Sequence, residues 1–153
     1  MITVTSDHRH AAIILILTEL YNVDYTEKNS TTGGWLFNEY ENYNGLNESQ
    51  KNDLFRYVAQ QLQELKLIEY KSISPHTGQI IEPRLTGQGE LILAKLFKDE
   101  SLNKFFQINP IEKSLTKKII LEKIKEEGIG VVVKVMSEGL KDGYTGLISM
   151  LPS

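Results

Sequence analysis

The chain has 153 residues, 41% of them hydrophobic and 24% charged, with a formal net charge of −3. That is enough sequence for one soluble domain with a sizeable core, or for a compact domain with an extension. It contains no cysteine, which excludes disulfides, thiol catalysis and cysteine-based metal sites and fits a reducing, cytoplasmic setting. No run of apolar residues approaches the roughly 18 needed to span a bilayer, and the short apolar stretch at 11–17 follows Asp7 and lacks the layout of a secretion signal.

The charge is unevenly spread. Residues 1–47 hold two basic and six acidic side chains, residues 48–97 six of each, and residues 98–153 nine basic and eight acidic. Nucleic-acid binders usually show a basic footprint. Here any such footprint must come from where the cations are placed.

In chain order, the first predicted helix covers residues 7–21, capped by Ser6 or Asp7. Ala11, Ile14, Leu15, Leu17 and Leu20 make it apolar almost all round, as in a helix buried in a core or a subunit interface. Residues 22–34 are polar and end in two glycines, a loop composition. A short aromatic helix is expected at 35–43. The clearest helix lies at 48–66, where Leu54, Val58, Leu62 and Leu65 recur on one face beside Phe55. Its opposite face carries Asn52, Arg56, Gln60 and Gln63, flanked by Asp53 and Glu64.

The period then changes. Residues 67–74 and 79–85 are short β-like runs around the turn Pro75-His76-Thr77-Gly78, and Pro83 puts the second strand at an edge. A helix capped by Thr86 should run to about residue 98, with Leu91, Ile92, Leu96 and Phe97 as its apolar residues. Residues 99–109 read as a polar break. Asn109, Pro110 and Glu112 mark the start of a helix to about residue 127. Ile129, Val132, Val133, Met136 and Leu140 define a last helix in preference to a strand. Residues 143–153 form a glycine-spotted tail. The expected fold class is therefore mainly α with a small antiparallel hairpin (α+β).

The order helix, helix, helix, hairpin, helix resembles the winged helix-turn-helix layout. Gln61-Leu62-Gln63-Glu64-Leu65-Lys66-Leu67-Ile68-Glu69 resembles the junction where a recognition helix enters the wing. Leu85-Thr86-Gly87-Gln88-Gly89 resembles the Leu-Thr-x-x-Gly signature that follows the wing in MarR-like and PadR-like bacterial regulators. The resemblance spans about residues 50–97. Lys66 stands where those proteins usually carry glycine. It implies a winged-helix domain over 1–98 and a helical extension over 99–153 that either finishes the core or dimerises.

The resemblance further implies double-stranded DNA as the partner of a bacterial or phage transcriptional regulator. Helix 48–66 would be the recognition helix and 67–85 the wing. Arginine reads guanine and asparagine or glutamine reads adenine in the major groove, which makes Asn52, Arg56, Gln60 and Gln63 the base-reading candidates. Lys71, His76 and Arg84 are the wing's phosphate contacts. The alternative is an adaptor that binds protein through Trp35, Phe37, Tyr40 and Tyr43, a segment made acidic by Glu39 and Glu41. The apolar residues Ile119, Ile120, Leu121 and Ile124 suggest a homodimer formed through the terminal helices.

No enzyme signature is legible. His8 and His10 point about 200° apart on a helix and cannot share a metal from one face. No pair of carboxylates is spaced as a general acid and base. Gly128-Ile129-Gly130 lacks the lysine and flanking strand of a phosphate loop. No cofactor and no metal are expected.

Overall fold

A computed structural model describes residues 3–22, 46–74, 80–109 and 115–143. The expected aromatic helix at 35–43, the turn at 75–78 and the tail after 143 lie outside these residues. Six helices and four short strands are present among them: α1 (Ser6–Asn22), α2 (Glu48–Glu64), β1 (Ile68–Glu69), β2 (Ser72–Ile73), β3 (Ile80–Ile81), β4 (Arg84–Leu85), α3 (Gly87–Phe97), α4 (Glu100–Phe106), α5 (Lys117–Glu127) and α6 (Ile129–Gly143). The protein is thus mainly helical with a small antiparallel hairpin.

The all-round apolarity of α1 has a direct structural consequence. Residues 11–17 are at most 2% exposed, because α1 is the central rod against which α2, α3, α5, α6 and β4 pack. Its cap is Thr5, one position before those expected: Thr5 Oγ1 accepts from the His8 backbone at 3.4 Å, and the Thr5 carbonyl takes the first helical bond, from Arg9. α2 opens with a capping box. Asn47 Oδ1 accepts from Gln50 N at 2.9 Å, and Gln50 Oε1 accepts from Asn47 N at 3.1 Å, so two otherwise orphaned donors are satisfied reciprocally.

The hairpin keeps one register along its length, with Ile68 opposite Leu85, Glu69 opposite Arg84, Ser72 opposite Ile81 and Ile73 opposite Ile80. The ladder breaks only across Tyr70, Lys71, Glu82 and Pro83. Pro83 has no N–H to donate, and Glu82 adopts a left-handed φ of 51°. Lys71 N–H still reaches the Ile81 carbonyl at 3.0 Å, and this bond carries the strands across the gap.

The C-terminal helices join the same core. Ile120, Leu121 and Ile124 of α5 and Val132, Val133 and Met136 of α6 are at most 3% exposed within the chain, in one cluster with α1, α2 and α3. Each such side chain contributes roughly 1.5–3 kcal/mol by leaving water. Ile120, Leu121 and Ile124, three of the residues that suggested a dimer, are therefore buried within the chain itself. The segment expected as a polar break holds α4 instead. Asp99 Oδ1 accepts from Leu102 N at 3.0 Å, while Leu102 and Phe106 are buried. The helix expected from residue 110 to 127 begins only at Lys117, where Thr116 Oγ1 accepts from Ile119 N. Residues 110–114, including Pro110, lie outside the described part. On α3, Ile92, Leu96 and Phe97 are buried together with Leu93, whereas Leu91 is 67% exposed.

Candidate nucleic-acid interface

The two sequence motifs meet in space. α2 ends in a Schellman arrangement: Leu67 N–H donates to the Leu62 carbonyl at 3.0 Å and Lys66 N–H to that of Gln63 at 2.9 Å. This closure demands a left-handed residue, and Lys66 supplies it with φ 63°. Lys66 thus holds a left-handed backbone position, of the kind that favours glycine.

Thr86 then fastens the far side. Its N–H donates to the Leu67 carbonyl at 3.0 Å, and its hydroxyl lies 2.6 Å from the Lys66 carbonyl. The same oxygen caps α3 by accepting from Gly89 N at 3.2 Å. Gly89 allows the approach: a Cβ there would stand 2.3 Å from the Leu67 carbonyl oxygen. The Leu-Thr-x-x-Gly motif is therefore a clasp that fixes the base of the hairpin to the end of α2.

This joint positions the outer face of α2. Gln60 and Gln63 are exposed there, as are Asp53, Glu64 and Tyr57. Tyr57 is 50% exposed and its phenol oxygen accepts from Gln61 Nε2 at 2.9 Å. Asn52 and Arg56 are half-buried and already engaged within the chain. Four of the expected base-reading side chains thus share one helix face, two of them fully presented.

In the hairpin, Lys71 is exposed. Arg84 is exposed too, but Glu69 directly across the ladder takes its guanidinium, with Nε 2.9 Å from Oε2. The phosphate contact expected of Arg84 is therefore satisfied internally in the free protein. His76 lies outside the described residues. Beside the hairpin break, the Tyr70 phenol is held above its ordinary range, first by partial burial and then by the Glu64 carboxylate.

Sequence reading missed one charged group. Lys51 is only 2% exposed. It precedes Leu54 and Phe55 by three and four residues and so sits in the apolar stripe of α2. Its spacing was the available signal; its residue type concealed it. Lys51 is engaged within the chain and contributes no cation to the outer face. In sequence, residues 48 to 86 hold as many acidic residues (Glu48, Asp53, Glu64, Glu69, Glu82) as basic ones (Lys51, Arg56, Lys66, Lys71, Arg84).

Elsewhere, a shallow groove of about 420 Å³ lies between α1 and α3, lined by Tyr21, Gly87, Glu90, Leu91 and Ala94. Among the described residues, no cluster of three metal-ligating side chains occurs and no helix is long and apolar enough to cross a membrane. No known family, curated protein or solved structure matches the chain.

Proposed function

We propose that the protein is a winged-helix DNA-binding protein of the cytoplasm, a transcriptional regulator in which α2 enters the major groove and the hairpin lies along the backbone. The observation that supports this best is the clasp at Lys66, Leu67, Thr86 and Gly89. It ties the end of a 17-residue helix to the base of a two-stranded hairpin while leaving Gln60 and Gln63 exposed on the outer side. Groove reading depends on such placement, because a side chain must meet a base edge within hydrogen-bond distance.

The charge pattern makes the binding mode specific. Lys66 and Lys71 are exposed cations outside the Arg84–Glu69 pair. Few phosphate contacts mean a weak dependence on salt, since each contributes about 0.9 to the slope of log affinity against log salt. A titration on random duplex DNA from low to physiological salt should give a slope of about −2. Gln60→Ala with Gln63→Ala should weaken binding to a selected site without changing that slope. Absence of binding at the lowest salt sinks the proposal.

A second reading, a winged-helix adaptor for protein partners, is favoured by one observation: acidic side chains equal basic ones across residues 48–86, and Glu69 neutralises Arg84. Retention of a protein partner by a chain that fails the DNA titration, with loss of capture on Tyr57→Asp, would favour it. A homodimer through the terminal helices belongs to either reading and is checked by sedimentation.

A further inference from the structure

Thr5 and His8 stand in the positions of a capping box, the reciprocal pair at a helix start in which glutamate or glutamine normally provides the returning acceptor. Here a histidine provides it. Thr5 Oγ1 accepts from His8 N at 3.4 Å, and the Thr5 backbone N–H donates to His8 Nδ1 at 3.0 Å. Thr5 Oγ1 is also 3.1 Å from Nδ1. A backbone N–H can only donate, so Nδ1 must be the bare nitrogen of a neutral ring. Protonation would turn that acceptor into a donor facing the Thr5 N–H, and would leave only the Thr5 hydroxyl oxygen, which already accepts from His8 N, to receive it.

Two further features act in the same direction. His8 is 6% exposed, and burial disfavours a charged ring. It also lies in the first turn of a 17-residue helix, where the helix dipole disfavours positive charge. The neighbouring turn couples the cap to the rest of the fold. A Cβ on Gly130, in the first turn of α6, would stand 3.3 Å from Asp7 Oδ2, so the Asp7 carboxylate lies at the start of α6, a favourable place for an anion.

The charged residues that flank these turns in sequence are Asp7 and Arg9 on α1, Glu126 and Glu127 at the end of α5, and Lys134 on α6; all but the half-buried Asp7 are exposed. α2 adds one buried cation, Lys51, and His10 is a second buried histidine on α1. The buried positions of α3, from Gly89 to Phe97, and Leu85 of β4 carry no titratable group. Asp7 opposes the effect by favouring a charged neighbour, but it is turned toward α6.

We propose that the Thr5–His8 pair is a pH-sensitive helix cap, which on protonation of His8 releases the start of α1 and loosens the start of α6 packed against it. The sign follows from linkage. An unfolded-chain histidine takes its proton near pH 6.5, whereas the folded cap resists it. The unfolded state therefore binds the proton first, and stability falls as pH drops below about 6.5 until the folded ring protonates as well. Above about pH 7.5 both states are neutral and the contribution is constant.

His8→Gln tests this directly, because glutamine restores an ordinary capping box that does not titrate. Unfolding of wild type and His8→Gln is compared between pH 5 and pH 8 in the full chain, with His10 and every carboxylate present in both. The folding equilibrium of wild type should fall about tenfold relative to the variant toward pH 5, a loss of the size expected for one cap. Amide exchange at the first turns of α1 and α6 should rise together in wild type alone. Parallel pH profiles overturn the proposal. Should the variant not fold, the His8 ring is titrated by NMR in the wild-type protein, and a midpoint at or above about 6.5 overturns it equally.

Discussion

The joint between α2 and the hairpin and the outer face of α2 lie within one helix and its continuation, yet their residues are constrained in opposite ways. At the joint, backbone geometry dictates the side chains. A left-handed residue must close the helix, a hydroxyl must bridge two carbonyls, and a residue without Cβ must let α3 approach Leu67. On the outer face, solvent accepts almost any polar residue, and only a partner selects among them. The joint consequently reports on architecture, whereas the polar residues of the face are constrained by the fold only to be polar.

Gly89→Ala should break the joint most severely. The added Cβ meets the Leu67 carbonyl, a backbone atom that cannot rotate away. A loss of about 2–4 kcal/mol is expected, the range of overpacking and backbone strain, read as a lower urea midpoint. Gly87→Ala, two residues earlier, has open space around the new Cβ and should be near neutral. If the two variants were equally stable, the clasp would not be the tight contact described. Lys66→Gly acts in the opposite direction. Left-handed backbone costs a non-glycine residue about 1–2 kcal/mol, partly offset by the greater freedom of glycine in the unfolded chain. A net gain of about 0.5–1 kcal/mol is expected by the same measurement.

The contrast also explains what could be read from the sequence. The hairpin, its flanking helices and the Thr86 cap were legible because each has local chemistry: turn residues, a change of period, a capping threonine. α6 was legible as a helix despite its valines, because Val132, Val133 and Met136 repeat at helical spacing and are buried. α4 was missed because seven residues are too few to establish a period, although Leu102 and Phe106 pack into the core. The Thr5 cap was missed because histidine is not the usual partner in a capping box. Lys51 was missed because a lysine in an apolar stripe breaks the binary pattern. The fate of Ile120, Leu121 and Ile124 depended on α1 and α6, which only the tertiary structure brings together. On the candidate site, Gln60 and Gln63 of the polar face read from the sequence are exposed, whereas Asn52 and Arg56 are half-buried. The sequence could not foresee that Glu69 would take up Arg84, since that depends on the register of the hairpin.

That last pair offers the finest test of whether the outer surface serves DNA. The Arg84–Glu69 bridge is more than half exposed on both sides, so water screens it and its removal should change stability by less than about 1 kcal/mol. Glu69→Gln removes the negative charge and leaves Arg84 in place. If the hairpin lies along a phosphate backbone, Arg84 becomes available to it and a repulsive carboxylate disappears. Affinity for duplex DNA should then rise several-fold at low salt, and the salt slope should steepen by about one contact's worth, roughly 0.9. Arg84→Gln should leave the slope of the wild type nearly unchanged, because that guanidinium is already neutralised. An unchanged slope in Glu69→Gln, with unchanged stability, would remove the hairpin from the DNA interface while leaving the clasp and the fold intact. The same variant thereby separates the two readings of the surface: a protein-binding face gains nothing from a freed arginine on duplex DNA.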